Sequence, residues 1–131
     1  IDDLGLHGRG RLLGRRSPDE VASDLRAADI LLHTSSSEGI SNAVLEGMAS
    51  GLAVVTTDAG GMREAVRDGI DGFVVGVRDA DATAAALVRL AADAELRSRM
   101  GAAGRARIEA DFRLDQQIVA FERLLSEAAA R

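Results

Sequence analysis

The sequence predicts an α/β chain organised on a parallel sheet, and three observations lead there. First, ILLH at residues 30–33, AVVTT at 53–57 and FVVG at 73–76 are short apolar runs without a polar alternate face. That is the pattern of strands covered on both sides. Second, the segments between and after them carry helix-start signals and apolar residues at helical spacing. Third, strands and helices alternate along the chain, which separates an α/β fold from a helical bundle or a β-sandwich.

Taken in order, residues 1–9 are polar and Gly-punctuated and read as the tail of an earlier element. RGRLLG, residues 9–14, is consistent with a short strand closed by Gly14. Ser17, Pro18 and Glu20 form a capping-box signature with proline at the first helical position. Val21, Leu25 and Ala28 then fall on one helical face. ILLH is expected to be buried on both faces. A serine-rich loop follows, then a helix over 41–50 that Gly51 stops. After AVVTT, the turn DAGG at 58–61 opens a short helix through Met62, Ala65 and Val66. Asp68-Gly69 and Asp71-Gly72 bracket a turn before FVVG. Asp79 or Asp81 caps a helix carrying Ala84, Leu87, Val88 and Leu90. AELRSRMGAAGRARIEA reads as one or two helices, weakened at Gly101 and Gly104. A terminal helix puts Leu114, Ile118, Phe121, Leu125 and Ala128 on one stripe, with Glu122 and Arg123 outward.

Composition narrows the function. The 131 residues suit one domain. Only 2% are aromatic and the net charge is −5, which argues against a nucleic-acid binder with stacking platforms or a basic face. Cysteine is absent, so there is no disulfide framework, thiolate metal site or cysteine nucleophile. The two histidines, His7 and His33, lack ligand spacing, and no metal is expected. No apolar run reaches the roughly 18 residues of a membrane span, and no signal peptide is expected. All sixteen basic residues are Arg. Without Lys, neither a P-loop nor a response-regulator receiver site can be assembled. A start at Ile1 suggests a processed, cut or partial chain.

The chemistry concentrates in SSSEGISNAVLEGMASG, residues 35–51. In parallel sheets, ligands sit beyond the carboxyl ends of the strands, and the loop Thr34–Ile40 lies at such an end. The amides at the following helix start favour an anion such as a phosphate. Gly39 allows a ligand close to the backbone. Glu38 stands at the mouth, able to accept hydrogen bonds from hydroxyls. Glu46 lies about one and a half turns into the helix and leans back toward its start. Two carboxylates beside an anion-binding helix start suit a sugar-bearing phosphate such as a nucleotide sugar. By spacing alone, the two acids read more readily as solvated surface charges.

The segments RLLGRRSPDEVASDLRAADILLHTSSSEG, ISNAVLEGMASGLAVVTTDAGGMREAVRDGIDGFVVGVRD and FRLDQQIVAFERLL resemble, in that order and spacing, the C-terminal part of retaining GT-B glycosyltransferases of the "glycosyl transferases group 1" type. The resemblance implies an incomplete Rossmann-like sheet over residues 1–131, with an N-terminal acceptor domain and the first strands preceding it. It implies transfer of a sugar, with retention and without metal, from a nucleoside diphosphate sugar to a glycan or lipid-linked acceptor held mainly by the other domain. A cytoplasmic location is implied, with the inner membrane surface also open.

By the same resemblance, Glu38 takes the donor-sugar hydroxyls as the first Glu of an E-x(7)-E motif, and Glu46 takes the ribose. Gly39, Ile40 and Ser41 meet sugar and diphosphate through their amides, and Asn42 and Leu45 line the phosphate and ribose pocket. Gly14, Arg15 and Arg16 edge the base, or else form a strand end with two solvated arginines. Gly60 and Gly61 match a tight turn, and His33 reads as structural. Ala53 and Arg63 stand where the family often has Pro.

In the family, the diphosphate Arg and Lys lie upstream, so these 131 residues alone are expected to be inactive. ILLH, AVVTT and FVV are expected to stay neighbours while RLLG is loosely held. Two alternatives to a transferase stay open: a non-catalytic α/β nucleotide-sugar-binding or interaction module, and a GT-B epimerase.

Overall fold

The computed structural model describes residues 4–130. Its order is α1 (Pro18–Ala27), β1 (Ile30–His33), α2 (Asn42–Ala49), β2 (Ala53–Thr57), α3 (Met62–Ala65), β3 (Gly72–Val75), α4 (Ala80–Ala92), α5 (Ala94–Asp111) and α6 (Leu114–Ala129). The three strands form one parallel sheet in the order β1-β2-β3, with Ile30 opposite Ala53 and Val54 opposite Gly72. The α/β class and the adjacency of the three apolar runs are as expected.

β2 is the centre. All five of its residues are buried, and they alternate between two cores as a strand's geometry requires. Val54 points into a cluster with Val44 and Met48 of α2 and Met62 and Ala65 of α3. Ala53 and Val55 point the other way, into a cluster with Ala86 and Leu90 of α4 and Leu96 and Met100 of α5. β1 departs from the expectation of burial on both faces. It pairs only with β2 among the described residues, and Leu32 is 43% exposed.

RGRLLG forms no strand. The segment is coil and turn, and Leu12 is 85% exposed. A strand needs a partner for its amides, and no described strand pairs with this one. The expectation of a loosely held segment is therefore met, and that of a strand is not.

Local signals placed the helix ends well. The α1 box is complete: Ser17 Oγ accepts from Glu20 N at 3.3 Å, and the Glu20 carboxylate accepts from Ser17 N at 2.8 Å. Asp79, not Asp81, caps α4 through Ala82 N at 2.9 Å. α2 closes in a Schellman arrangement, with Leu52 N bonded to Gly47 O at 3.0 Å and Gly51 N to Met48 O at 2.9 Å.

Face assignments needed more correction. On α1, Val21 and Leu25 are half-buried, whereas Ala28 is the exposed C-cap. On α4 the buried pair is Ala86 and Leu90, while Ala84 and Val88 face outward. α5 is one continuous helix, and its glycines mark contacts, not weak points. A Cβ on Gly101 would stand 2.0 Å from Gly51 O, and one on Gly104 3.6 Å from Met48. Gly101 thus lets α5 cross directly against the turn that precedes β2. The apolar stripe of α6 is exposed throughout, Phe121 to 65%.

Because α5 passes the entry to β2, the opposite end of the sheet is left for the loops after β1 and β2. There Asp58 N bonds to Val75 O at 2.7 Å, joining the β2 exit to β3. Below β3, Asp71 is fully buried and takes two Arg67 guanidinium bonds at 2.6 and 2.7 Å plus the Arg67 backbone N–H at 3.1 Å. Arg107 of α5 stands 3.9 Å from the same carboxylate and donates to the Ala65 and Glu64 carbonyls that end α3. Burial pushes the Asp71 carboxyl up, but the Arg67 bonds and the Arg107 charge outweigh it and leave it below its ordinary value.

Candidate functional site

The loop from Thr34 to Ser41 joins β1 to α2 at the carboxyl end of the sheet. Its shape is set from outside. Thr57, the last residue of β2, donates its hydroxyl to Ser35 O at 2.5 Å. Ser35 Oγ bonds to Ser37 O and N in a local turn. Gly61 N donates to Gly39 O at 3.3 Å, and Gly60, at φ +58°, lies so close that an added Cβ would be 1.6 Å from Glu38 O. The β2–α3 turn is therefore the mould in which Glu38 and Gly39 are cast. Sequence reasoning attributed the two glycines to the turn alone; a Gly-Gly pair at the end of a buried strand is the signal that could have suggested close backbone approach.

Glu38 is partly exposed, with one carboxylate oxygen 3.7 Å from His33 Nε2. Glu46 is exposed on α2 and lines a cavity of about 510 Å³ between α1 and α2, together with Arg16, Pro18, Leu25 and Ser50. Two of the predicted residues, Glu46 and Arg16, are thus brought to one cavity, while Glu38 stands at the end of β1 outside its lining.

Arg16 is not the solvated alternative. It grips Asp24 with two bonds of 3.0 and 3.1 Å and Glu20 with a third of 3.0 Å. Its hydrogen bonds hold the Asp24 carboxyl below the ordinary value. Gly14, in a left-handed turn, and Arg15 are exposed.

The start of α2 is the other element of the site. Ser41 is its N-cap and is buried, but its side chain makes no capping bond. The amides of Asn42, Ala43 and Val44 precede the first intrahelical bond, Leu45 N to Ser41 O at 3.1 Å. In contrast, α1, α4 and α5 are capped by Ser17, Asp79 and Asp93. Gly39, Ile40 and Asn42 are exposed around this helix start. Leu45 instead packs partly buried against the α2–β2 core. Among the described residues, no three His, Asp or Glu side chains gather as a metal site, and no helix is long and apolar enough to cross a membrane.

A loop–helix site at the carboxyl edge of a parallel sheet is shared by many α/β proteins and by itself marks no one family. The family model "Glycosyl transferases group 1" matches residues 1–107. The chain belongs to the glycosyl transferases group 1 family.

Its curated relatives agree. The lipopolysaccharide core biosynthesis glycosyltransferase LpsE of Rhizobium meliloti is 34% identical over 124 residues, 95% of this chain and 36% of LpsE. The D-inositol 3-phosphate glycosyltransferase of Corynebacterium urealyticum is 36% identical over 99 residues, 76% of this chain and 23% of that enzyme. The chain thus spans about a third or less of the length of these relatives.

Among solved structures, sucrose-phosphate synthase of Thermosynechococcus elongatus superposes with a TM-score of 0.93 at 26% identity, over 99% of this chain and 33% of that one. Anabaena HepE, solved in complex with UDP-glucose, superposes with a TM-score of 0.84 at 25% identity, over 99% of this chain and 34% of HepE. The C-terminal domain of the group 1 protein LpcC from Francisella tularensis gives 0.75 at 28% identity, covering 87% and 59%. The three-stranded parallel sheet with its flanking helices is the architecture of GT-B C-terminal domains.

Proposed function

We propose that this chain supplies part of the donor site of a glycosyltransferase that moves a sugar from a nucleoside diphosphate sugar to a glycan or lipid acceptor, with retention at the anomeric carbon. The observation that carries the reading is the uncapped start of α2, flanked by Glu38 and Glu46 at the carboxyl end of the sheet. Three amides without intrahelical partners and the positive end of the helix dipole suit a diphosphate. Carboxylates accept hydrogen bonds from vicinal hydroxyls, so Glu38 takes the sugar and Glu46 the ribose. Gly39, Ile40, Ser41 and Asn42 frame the diphosphate, and Leu45 backs the pocket from the core side. Arg16, fixed by Asp24 and Glu20, edges the base with Gly14 and Arg15 by presenting a rigid surface.

In catalysis Glu38 acts by orientation. Gly60 and Gly61 fix the backbone of Glu38 beside the helix start, and fixed geometry is itself a large part of rate enhancement. The names of the relatives and the UDP-glucose bound by HepE support a nucleotide-sugar donor. Acceptor recognition and management of the acceptor proton fall to the rest of the protein, and this chain by itself is inactive.

Titration of UDP and UDP-glucose by calorimetry tests the site in the full-length protein. Glu46→Ala should weaken both about tenfold or more, the effect of deleting a hydrogen bond to a charged group. Equal binding by the variant and the unaltered protein would defeat the assignment.

A further inference from the structure

We infer that His33 is a positioning residue for Glu38, orienting its carboxylate toward the donor sugar through the imidazole Nε2. The inference rests on the donor-site reading above. His33 ends the otherwise apolar run ILLH, and its side chain is only 16% exposed. Burying an imidazole is unfavourable unless its nitrogens find partners, and an aliphatic residue would fill the place without that cost. Nδ1 finds a hydrogen-bond partner, and Nε2 faces a carboxylate at ion-pair, not hydrogen-bond, distance. Nδ1 lies 3.4 Å from the buried hydroxyl of Thr56, the residue opposite His33 in the sheet, and Nε2 lies 3.7 Å from Glu38 Oε1.

The two contacts are coupled through the tautomer. Thr56 Oγ1 has one proton, shared between His33 Nδ1 and the Thr57 carbonyl 3.4 Å away. When Nδ1 accepts it, the neutral ring carries its own proton on Nε2, facing the carboxylate. The opposite tautomer would set a bare lone pair against a carboxylate oxygen. Among the described residues no other side chain stands within ion-pair distance of Glu38. The turn at Gly60 and Gly61 fixes the backbone of the loop, and His33 is left to orient the carboxylate.

The test compares UDP-glucose with UDP, which lacks the sugar that Glu38 holds, as calorimetric probes of the full-length protein. His33→Leu and His33→Asn should each raise the Kd for UDP-glucose about tenfold, within the range of coupled side-chain pairs. The Kd for UDP should stay within about twofold, because UDP makes no contact that depends on coupled pairing with Glu38. His33→Gln should stay near the unaltered protein, since its amide nitrogen takes the place of Nε2, whereas that of Asn takes the place of Nδ1. In a Glu38→Gln background, His33→Leu should add nothing. Parallel loss of UDP and UDP-glucose binding, equal damage from Gln and Asn, or additive losses in the double variant would overturn the inference while sparing the donor site. Unchanged UDP-glucose binding in Glu38→Gln alone would overturn the donor-site reading itself, and the inference with it.

Discussion

Gly60→Ala is the sharpest test of how the site is built. The substitution places a methyl group 1.6 Å from Glu38 O, where real Cβ contacts stay beyond 3.0 Å, so the two backbones must part by at least 1.4 Å. Alanine at φ +58° adds about 1–2 kcal/mol of left-handed strain. Opening the gap also breaks the 3.3 Å bond from Gly61 N to Gly39 O, worth about 0.5–1.5 kcal/mol. Together these give roughly 2–3 kcal/mol. For a chain of this size, at roughly 4 °C per kcal/mol, Tm should fall by about 8–12 °C. The functional loss is larger than the stability loss, because misplacing a reacting group by about 1 Å costs about a hundredfold. Thermal melts of the 131-residue chain and donor kcat/KM of the full-length protein read the two effects separately. Gly69→Ala is the control: it has φ +77° but open space around its Cβ, so it isolates the strain from the clash. If Gly60→Ala behaves like Gly69→Ala in both assays, the β2–α3 turn does not mould the Glu38 loop.

Three further outcomes follow from the packing. Asp71→Asn should cost about 1–3 kcal/mol by chemical denaturation, since it leaves the Arg67 bonds weakened around a buried site. Because the folded-state value of Asp71 is depressed, its stabilisation is complete above the ordinary carboxylate value and is lost as pH falls through the lower, folded one. Acid unfolding of the variant should therefore be less steep below about pH 4. Gly101→Ala should destabilise by about 1–3 kcal/mol in the same assay, because its methyl would sit 2.0 Å from Gly51 O. Leu12→Ser should leave the melting curve unchanged within about 0.5 kcal/mol, as befits an exposed coil residue; a larger loss would mean that this segment packs.

Much of the chain could be read without coordinates because its signals are local. The Ser17–Glu20 box, the Gly51 stop and the three apolar runs each depend on residues within a few positions, and each produced the expected element. The position of Glu38 and Glu46 about a helix start was legible for the same reason. Burial was read less well, because it depends on neighbours distant in sequence. Leu32 and Leu12 are as apolar as Val54, yet only Val54 has strands on both sides. Ala84 and Val88 are as apolar as Ala86 and Leu90 on the same helix, yet they face outward because α4 turns its other side to β2.

The sequence by itself determined an α/β chain, the three apolar strands with the helices that follow them, and two carboxylates at the carboxyl edge of a parallel sheet. Only the tertiary structure decided what holds the loop that carries Glu38. Gly60, Gly61, Thr57 and Thr56 come from the next strand and its turn, more than twenty residues past His33, and act through van der Waals contact and single hydrogen bonds. Such contacts leave no periodic trace in a sequence, because they join points whose separation is set by the pairing of β1 with β2.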